Sequence, residues 1–302
     1  MFLSKIFKFR KSQELKDLMH KRVGGSLIFG LIIILLIGVV IWALMSYSDP
    51  EAQVSEDSFD QSLLGNNSSD DSAVADCNIE KLSLTGTLVT YYDGTDGDYA
   101  YSEWIVSKIE EAQKNDKIKA IILEIDSSGG WPVAGEEIMN ALIDSSKTTI
   151  ALIRQGGLSA AYMAAVGADK IFASRISDVG SIGVTISYLD NVNKNKTEGA
   201  AFNQLSSGKY KDMMSPDKPL TQEERALIMR DLAIIHKNFI SFVATNRNLS
   251  VDKVTQMADG SSMLGEMALK NGLIDEIGGM NEVLAYLKEQ LAIDPIICKE
   301  QN

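Results

Sequence analysis

The 302-residue chain is 45% hydrophobic and 23% charged, a balance that buries a core and excludes a largely disordered protein. Its formal charge of −12 excludes a general nucleic-acid binder, which needs a basic face. Two cysteines and two histidines are too few for a disulfide scaffold, a cysteine-rich zinc site or a centre built on several imidazoles, so neither metal nor cofactor is expected.

Charge is segregated along the chain. Residues 1–22 carry +5, residues 23–48 carry none and the remainder carries −17. Leu27 to Met45, within the uncharged stretch, is almost wholly aliphatic, and its 19 residues reach roughly 28 Å as a helix, close to the ~30 Å hydrocarbon core. Trp42 and Tyr47 fall near its outer end, where amphipathic rings favour the headgroup layer. Residues 23–48 are therefore expected to form a single N-terminal transmembrane helix, retained as a signal anchor because the run exceeds the ~7–15 apolar residues of a cleaved signal peptide. The basic segment 1–22 would remain in the cytoplasm and the rest would lie outside. Residues 49–78 read as a flexible linker: Asp49 to Asp76 holds eight acidic residues and no basic one. A Cys77–Cys298 bridge is compatible with the extracytoplasmic side, and the sequence leaves that pairing open.

From residue 79 short apolar runs alternate with amphipathic stretches. Strands are expected at 79–84, 119–125, 148–153 and 170–173, and helices at 101–115, 131–144 and 159–168. Pro132 suits a first helical turn. From residue 221 onward the chain reads as helical over 222–247, 250–258, 264–271 and 280–291. Continuous Val/Ile/Leu strands between helices indicate one α/β domain, 79–302, with a mainly parallel sheet flanked by helices.

In such sheets chemistry collects where strands end and helices begin. Two glycine-rich junctions sit there, Asp126-Ser127-Ser128-Gly129-Gly130 and Gly156-Gly157-Leu158-Ser159. The first is read as a strand-to-helix turn, and it lacks the Lys-Ser/Thr ending of a nucleotide loop. Ser159, at a helix start, is either a cap or a nucleophile. A nucleophilic serine needs a base. His20 falls on the far side of the expected membrane span, and His236 lies in the helical run RDLAIIHKNFISFV, so a lysine is the remaining choice. Half-deprotonating an ordinary lysine near pH 7 costs roughly 4.6 kcal/mol, which burial and hydrogen bonds to the neutral amine can supply. The candidates are Lys170, Lys209 and Lys211.

These segments resemble the SppA-type signal peptide peptidase family, membrane-anchored Ser-Lys proteases with a ClpP/crotonase-like fold. The family's strand and S-P-G-G turn resemble KAIILEIDSSGG. Its S-G-G-Y, A-D-K-I-x-A and G-S-I-G-V segments resemble Ser159–Tyr162, Ala168–Ala173 and Gly180–Val184. Its lysine segment resembles SGKYKDMMSP, residues 207–216, and its closing pattern resembles ALKNGLIDEIGG, residues 268–279. The resemblance implies Ser159 as nucleophile, Lys211 as general base, Ser181 as the residue orienting the lysine, and Gly130 and Ala160 as oxyanion-hole donors. It also implies peptide substrates, remnant signal peptides among them, a single-pass protein of the bacterial inner membrane with a periplasmic catalytic domain, and a homo-oligomer, such as an octamer, whose sites are shared between subunits. Two departures stand out. Ser-Ala-Ala-Tyr for S-G-G-Y implies a reshaped pocket, and Ser-Ser-Gly-Gly for S-P-G-G implies a less rigid loop. The competing classes are a noncatalytic peptide-binding scaffold of the same fold and a crotonase-like acyl-CoA enzyme.

Overall fold

The computed structural model describes residues 77–299, apart from residues 93 and 95. The expected basic segment, membrane span and nearly all of the linker, together with His20, lie outside the described residues. Among the described residues no helix is long and apolar enough to cross a membrane.

An eight-stranded sheet organises these residues. Its main path runs β2 (Tyr99–Tyr101), β1 (Ile79–Val89), β3 (Ala120–Gly130), β4 (Thr148–Leu158), β5 (Lys170–Ala173) and β8 (Glu276–Ile277). Every pairing on this path is parallel. β6 (Asp178–Gly180) joins the far half of β4 in parallel, and β7 (Ser262–Leu264) closes on β6 antiparallel. The helices are α1 (Ser102–Lys114), α2 (Pro132–Ile143), α3 (Ala160–Ala165), α4 (Val192–Glu198), α5 (Gln222–Asn246), α6 (Val251–Met257), α7 (Gly265–Asn271) and α8 (Met280–Leu291).

Successive strand residues point to opposite faces, and both faces of this sheet are covered. Ile121, Leu123 and Ile125 of β3 enter the larger core with Ile105 and Ile109 of α1, Ile138 and Leu142 of α2, and the whole of α3. Ala120 and Ile122, one step out of phase, enter a second core with Ile150, Leu152, Phe172 and the α8 residues Val283 and Leu287. This double burial is why the β3 sequence reads as an unbroken aliphatic run.

The chain ends of the domain are fastened together. Cys77 and Cys298 form a disulfide with Cα atoms 4.9 Å apart, across a sequence separation of 221. Beside it Ile79 N–H donates to Ile296 O at 3.1 Å and Cys298 N–H donates to Ile79 O at 2.9 Å.

The structure corrects one feature of the sequence reading. Asp126–Gly130 is not a turn outside the sheet. β3 continues through it, with Gly129 opposite Thr87 and Gly130 opposite Leu88 after a register shift. β4 likewise continues through Gly156 and Gly157, paired to Asp178 and Val179.

Candidate active site

The far ends of β3 and β4 run together, with Ser127 opposite Gly157. One residue past Leu158 the chain turns sharply at Ser159, which has φ 52° and ψ −126°, and enters α3. A non-glycine residue in this region carries strain of about 1–3 kcal/mol, which persists only where the surroundings enforce it. Here they do: Ser159 N–H donates to Gly180 O at 2.8 Å, and Ser159 O receives Met163 N–H at 2.9 Å. The Ser159 side chain makes no capping hydrogen bond to α3, so the cap reading fails. A strained serine between strand and helix presents its hydroxyl at the top of a sheet, the arrangement of a nucleophile elbow.

At Gly129 the end of β3 lies directly against this serine. A Cβ placed on Gly129, at φ +102°, would sit 2.8 Å from Ser159 Cβ and 3.0 Å from the Ala160 amide nitrogen. Only glycine allows that approach. Trp131 N–H donates to Leu88 O at 2.8 Å. The end of β3 therefore reaches the Ser159–Ala160 turn at Gly129.

The loop is also tied down without proline. Ser127 Oγ donates to Gly86 O at 2.6 Å and accepts Gly129 N–H at 3.0 Å. The expected loss of rigidity from Ser-Ser-Gly-Gly is thus offset by a side chain in the same motif. The two alanines of Ser-Ala-Ala-Tyr, at 2% and 0% exposure, pack into the larger core.

Ser181 stands beside Ser159 for a topological reason. Leu158 pairs with Gly180, so the next residue on each strand, Ser159 and Ser181, leaves the ladder at the same level. Both adopt positive φ, 52° and 50°. Ser181 Oγ donates to Gly260 O at 3.0 Å, which leaves its lone pairs free to accept an N–H.

The three lysines separate clearly. Lys170 bridges to Glu276 at 3.3 Å and lies 5.4 Å from the Tyr286 ring centroid, a structural setting. Lys209 is ion-paired with Glu223, whose other contact is the Tyr210 hydroxyl at 3.1 Å. The Glu223 hydrogen bond, followed by that with Tyr210, pushes the Lys209 amine above its ordinary value, the wrong direction for a base. Lys211 is exposed in an irregular segment between α4 and α5, and no hydrogen bond or ion pair engages its amine among the described residues. The structure thus brings Ser159, Ala160, Ser181 and the Gly129 end of β3 together, and puts Lys211 on an exposed turn. His236 keeps Nε2 buried on α5 with no hydrogen-bond partner among the described residues.

Several positioning residues escaped the sequence reading. Gly135 of α2 would put a Cβ 2.4 Å from Ala160 O, so α2 crosses the first turn of α3 at backbone contact. Asp217 accepts Asn195 Nδ2 at 2.9 Å, and Asn191 N–H donates to Pro216 O at 2.8 Å, which pins the segment after Lys211 to α4. Lys218 pairs with the buried Glu224, whose carboxyl is held down to about 2 by Lys218 first and then by the Thr221 backbone. A Thr-x-x-Glu capping box, TQEE at 221–224, was the available signal for the last of these.

Comparison with known proteins places this geometry in context. The model of Peptidase family S49 matches residues 141–294. "Putative protease MJ0651" of Methanocaldococcus jannaschii is 32% identical over 210 residues, 67% of this chain and 67% of that protein. "Putative signal peptide peptidase SppA" of Enterococcus faecium is 30% identical over 219 residues, 70% of this chain and 63% of that protein. "Serine protease SPPA, chloroplastic" of Arabidopsis thaliana is 29% identical over 202 residues, covering 66% of this chain but 30% of that longer protein.

Proposed function

Since the chain belongs to peptidase family S49, we propose that it is a serine endopeptidase in which Ser159 is the nucleophile and Lys211 the general base. One observation carries the reading: the strained Ser159 at the β4–α3 turn, its side chain making no cap, with the Gly129 backbone pressed against it. The fold fits a ClpP/crotonase-like domain, in which a parallel sheet delivers a serine and two amides to one place.

In the proposed reaction the neutral Lys211 amine takes the Ser159 hydroxyl proton as Oγ attacks a peptide carbonyl. The carbonyl oxygen gains the negative charge and rests against the Gly130 and Ala160 amides. Collapse breaks the C–N bond, the lysine ammonium protonates the leaving amine, and an acyl-serine remains. Water, losing its proton to the same lysine, releases the acid. Ser181, accepting an N–H from the amine, aims the nitrogen lone pair at Ser159.

The exposed Lys211 belongs, in this reading, to the site of a neighbouring copy in a homo-oligomer. Remnant signal peptides and other short apolar peptides are the proposed substrates, since the uncharged run 23–48 would hold the enzyme on the membrane where they are left. The Cys77–Cys298 bridge supports a periplasmic location, because thiols stay reduced in most cytoplasms.

Exposure to a serine-directed fluorophosphonate, followed by intact-mass analysis and mapping of the adduct, tests the assignment. Ser159 should carry the adduct. Ser159→Ala should abolish both adduct and peptide cleavage, and Lys211→Ala should abolish cleavage without changing assembly size. An adduct elsewhere, or retained cleavage in either variant, overturns it.

A further inference from the structure

We propose that Trp131 and Val133 form an apolar lip that receives a large apolar side chain of the substrate beside the scissile bond. The inference rests on the reading of Ser159 as nucleophile and adds the class of peptide preferred.

Four features converge on this lip. The first is location. Trp131 lies two residues past Gly129, which packs against Ser159 and the Ala160 amide, and its Cα is ~3.8 Å from that of Gly130, the proposed oxyanion donor. The second is fixation. The Trp131 N–H is bonded to Leu88 O, and Pro132 at the first position of α2 fixes the next backbone angle. The third is contact between the two turns that carry the site. Gly135 meets the Ala160 carbonyl, so the first turn of α2 lies on the first turn of α3.

The fourth is exposure. Ala134, Gly135, Ile138, Met139 and Leu142 supply the buried face of α2. Trp131 and Val133 do not join it and are 65% and 55% exposed. Neither a hydrogen bond nor a ring contact holds the Trp131 side chain among the described residues. A lone exposed Leu or Val needs no explanation, but an exposed tryptophan whose backbone is fixed beside the proposed reactive centre has a large surface to cover. An extended peptide whose carbonyl meets the Gly130 amide passes this indole with the neighbouring side chain. Phe, Leu or Met there would cover it. Gly, Ala or Asp would not.

Contacts of this kind discriminate by about 10–200-fold. Full-length enzyme is given a peptide series varied at single positions flanking the cut, with Ala, Leu, Phe or Asp, and products are identified by mass. Wild type should favour Leu and Phe at one flanking position. Trp131→Ala should lower kcat/KM for those peptides about tenfold, mainly through KM, while Ala peptides and the fluorophosphonate labelling rate stay within twofold. Val133→Ser should do the same more weakly, and Trp131→Phe should restore the preference. A second measurement does not need catalysis: the Ser159→Ala protein, titrated with an uncleaved Phe peptide, should show a fluorescence blue shift that disappears with Trp131→Phe. Cleavage with no such shift and no altered preference overturns the lip alone. The shift without cleavage by wild type overturns the serine reading and keeps the lip. Neither signal overturns both. A change in assembly size in Trp131→Ala, with preference intact, identifies the lip as a subunit contact and also overturns the proposal.

Discussion

Replacing Gly129 with alanine tests how closely the β3 end controls Ser159. The added Cβ would meet Leu158 O at 2.8 Å, Ser159 Cβ at 2.8 Å and the Ala160 amide at 3.0 Å, two of them backbone atoms that cannot rotate away. Positive φ at a non-glycine residue costs about 1–2 kcal/mol, and overpacking a tight site about 1–3 more, so a stability loss of about 2–5 kcal/mol is expected. Gly199→Ala is the matched control. Its φ is +73° and nothing lies within 4 Å of the added atom, so it carries backbone strain alone, about 1–2 kcal/mol. Urea unfolding of both variants gives the difference. Activity should separate them further, because a displacement of about 1 Å at a reacting group costs on the order of 100-fold. Gly129→Ala should label with fluorophosphonate about 100-fold more slowly while folded, and Gly199→Ala at the wild-type rate. If folded Gly129→Ala labels normally, the strand end does not hold the serine, and the oxyanion role given to Gly130 falls with it.

Three further outcomes follow from particular contacts. The Cys77–Cys298 bridge closes a loop with a sequence separation of 221, so its removal by paired serine substitution should cost about 2–5 kcal/mol in urea unfolding; unchanged stability would show that the Ile79–Ile296 hydrogen bonds suffice. Lys209→Ala should retain most activity and Lys211→Ala none, because Glu223 holds the Lys209 amine protonated; the reverse ranking in peptide cleavage would exchange their roles. Glu224 is depressed to about 2 in the folded chain, so its ion pair stabilises the start of α5 above the ordinary carboxylate value near 4.5 and is lost as pH falls toward 2. Protection of the amides over residues 218–228, taken relative to their intrinsic exchange rates, should fall through that window, and Glu224→Gln should remove that fall.

The sequence revealed most of the scaffold because burial leaves a pattern. KAIILEI is apolar on both faces, and β3 is buried on both. Pro132 marked the start of α2, and 170–173 matched β5. What stayed hidden was held by pairing at a distance. Gly129 and Gly130 have no side chains to show a strand period, and their place in the sheet comes from Thr87 and Leu88. β6, β7 and β8 are two or three residues long, too short for any period. α4 reads VNKNKTE and buries none of its residues, so no apolar stripe announced it. At the site, the residue types in the Ser159 and Ser181 segments were legible, but the Leu158–Gly180 pairing that brings their backbones to one level, and their shared positive φ, were not.

That contrast bears on how the proposed dyad would be completed. Ser159 is placed by the deepest part of the chain, where every residue of α3 is buried. Lys211 is exposed, in an irregular segment tied to α4 through Asp217 and to the start of α5 through the Glu223 and Glu224 carboxylates. A lysine serving as a base near neutral pH has to be desolvated at a cost of roughly 4.6 kcal/mol, and an amine open to water gains no such help. In the proposed dyad a neighbouring copy would supply that desolvation. Leu189 and Leu205, 85% and 97% exposed on the flanks of α4, are the apolar surface such an assembly would cover. Activity per chain should then fall steeply on dilution, along with assembly size measured by light scattering, and Leu205→Asp should lower both together. A diluted monomer that cleaves at the full rate would mean that Lys211 is not the base, or that it reaches Ser159 within its own chain.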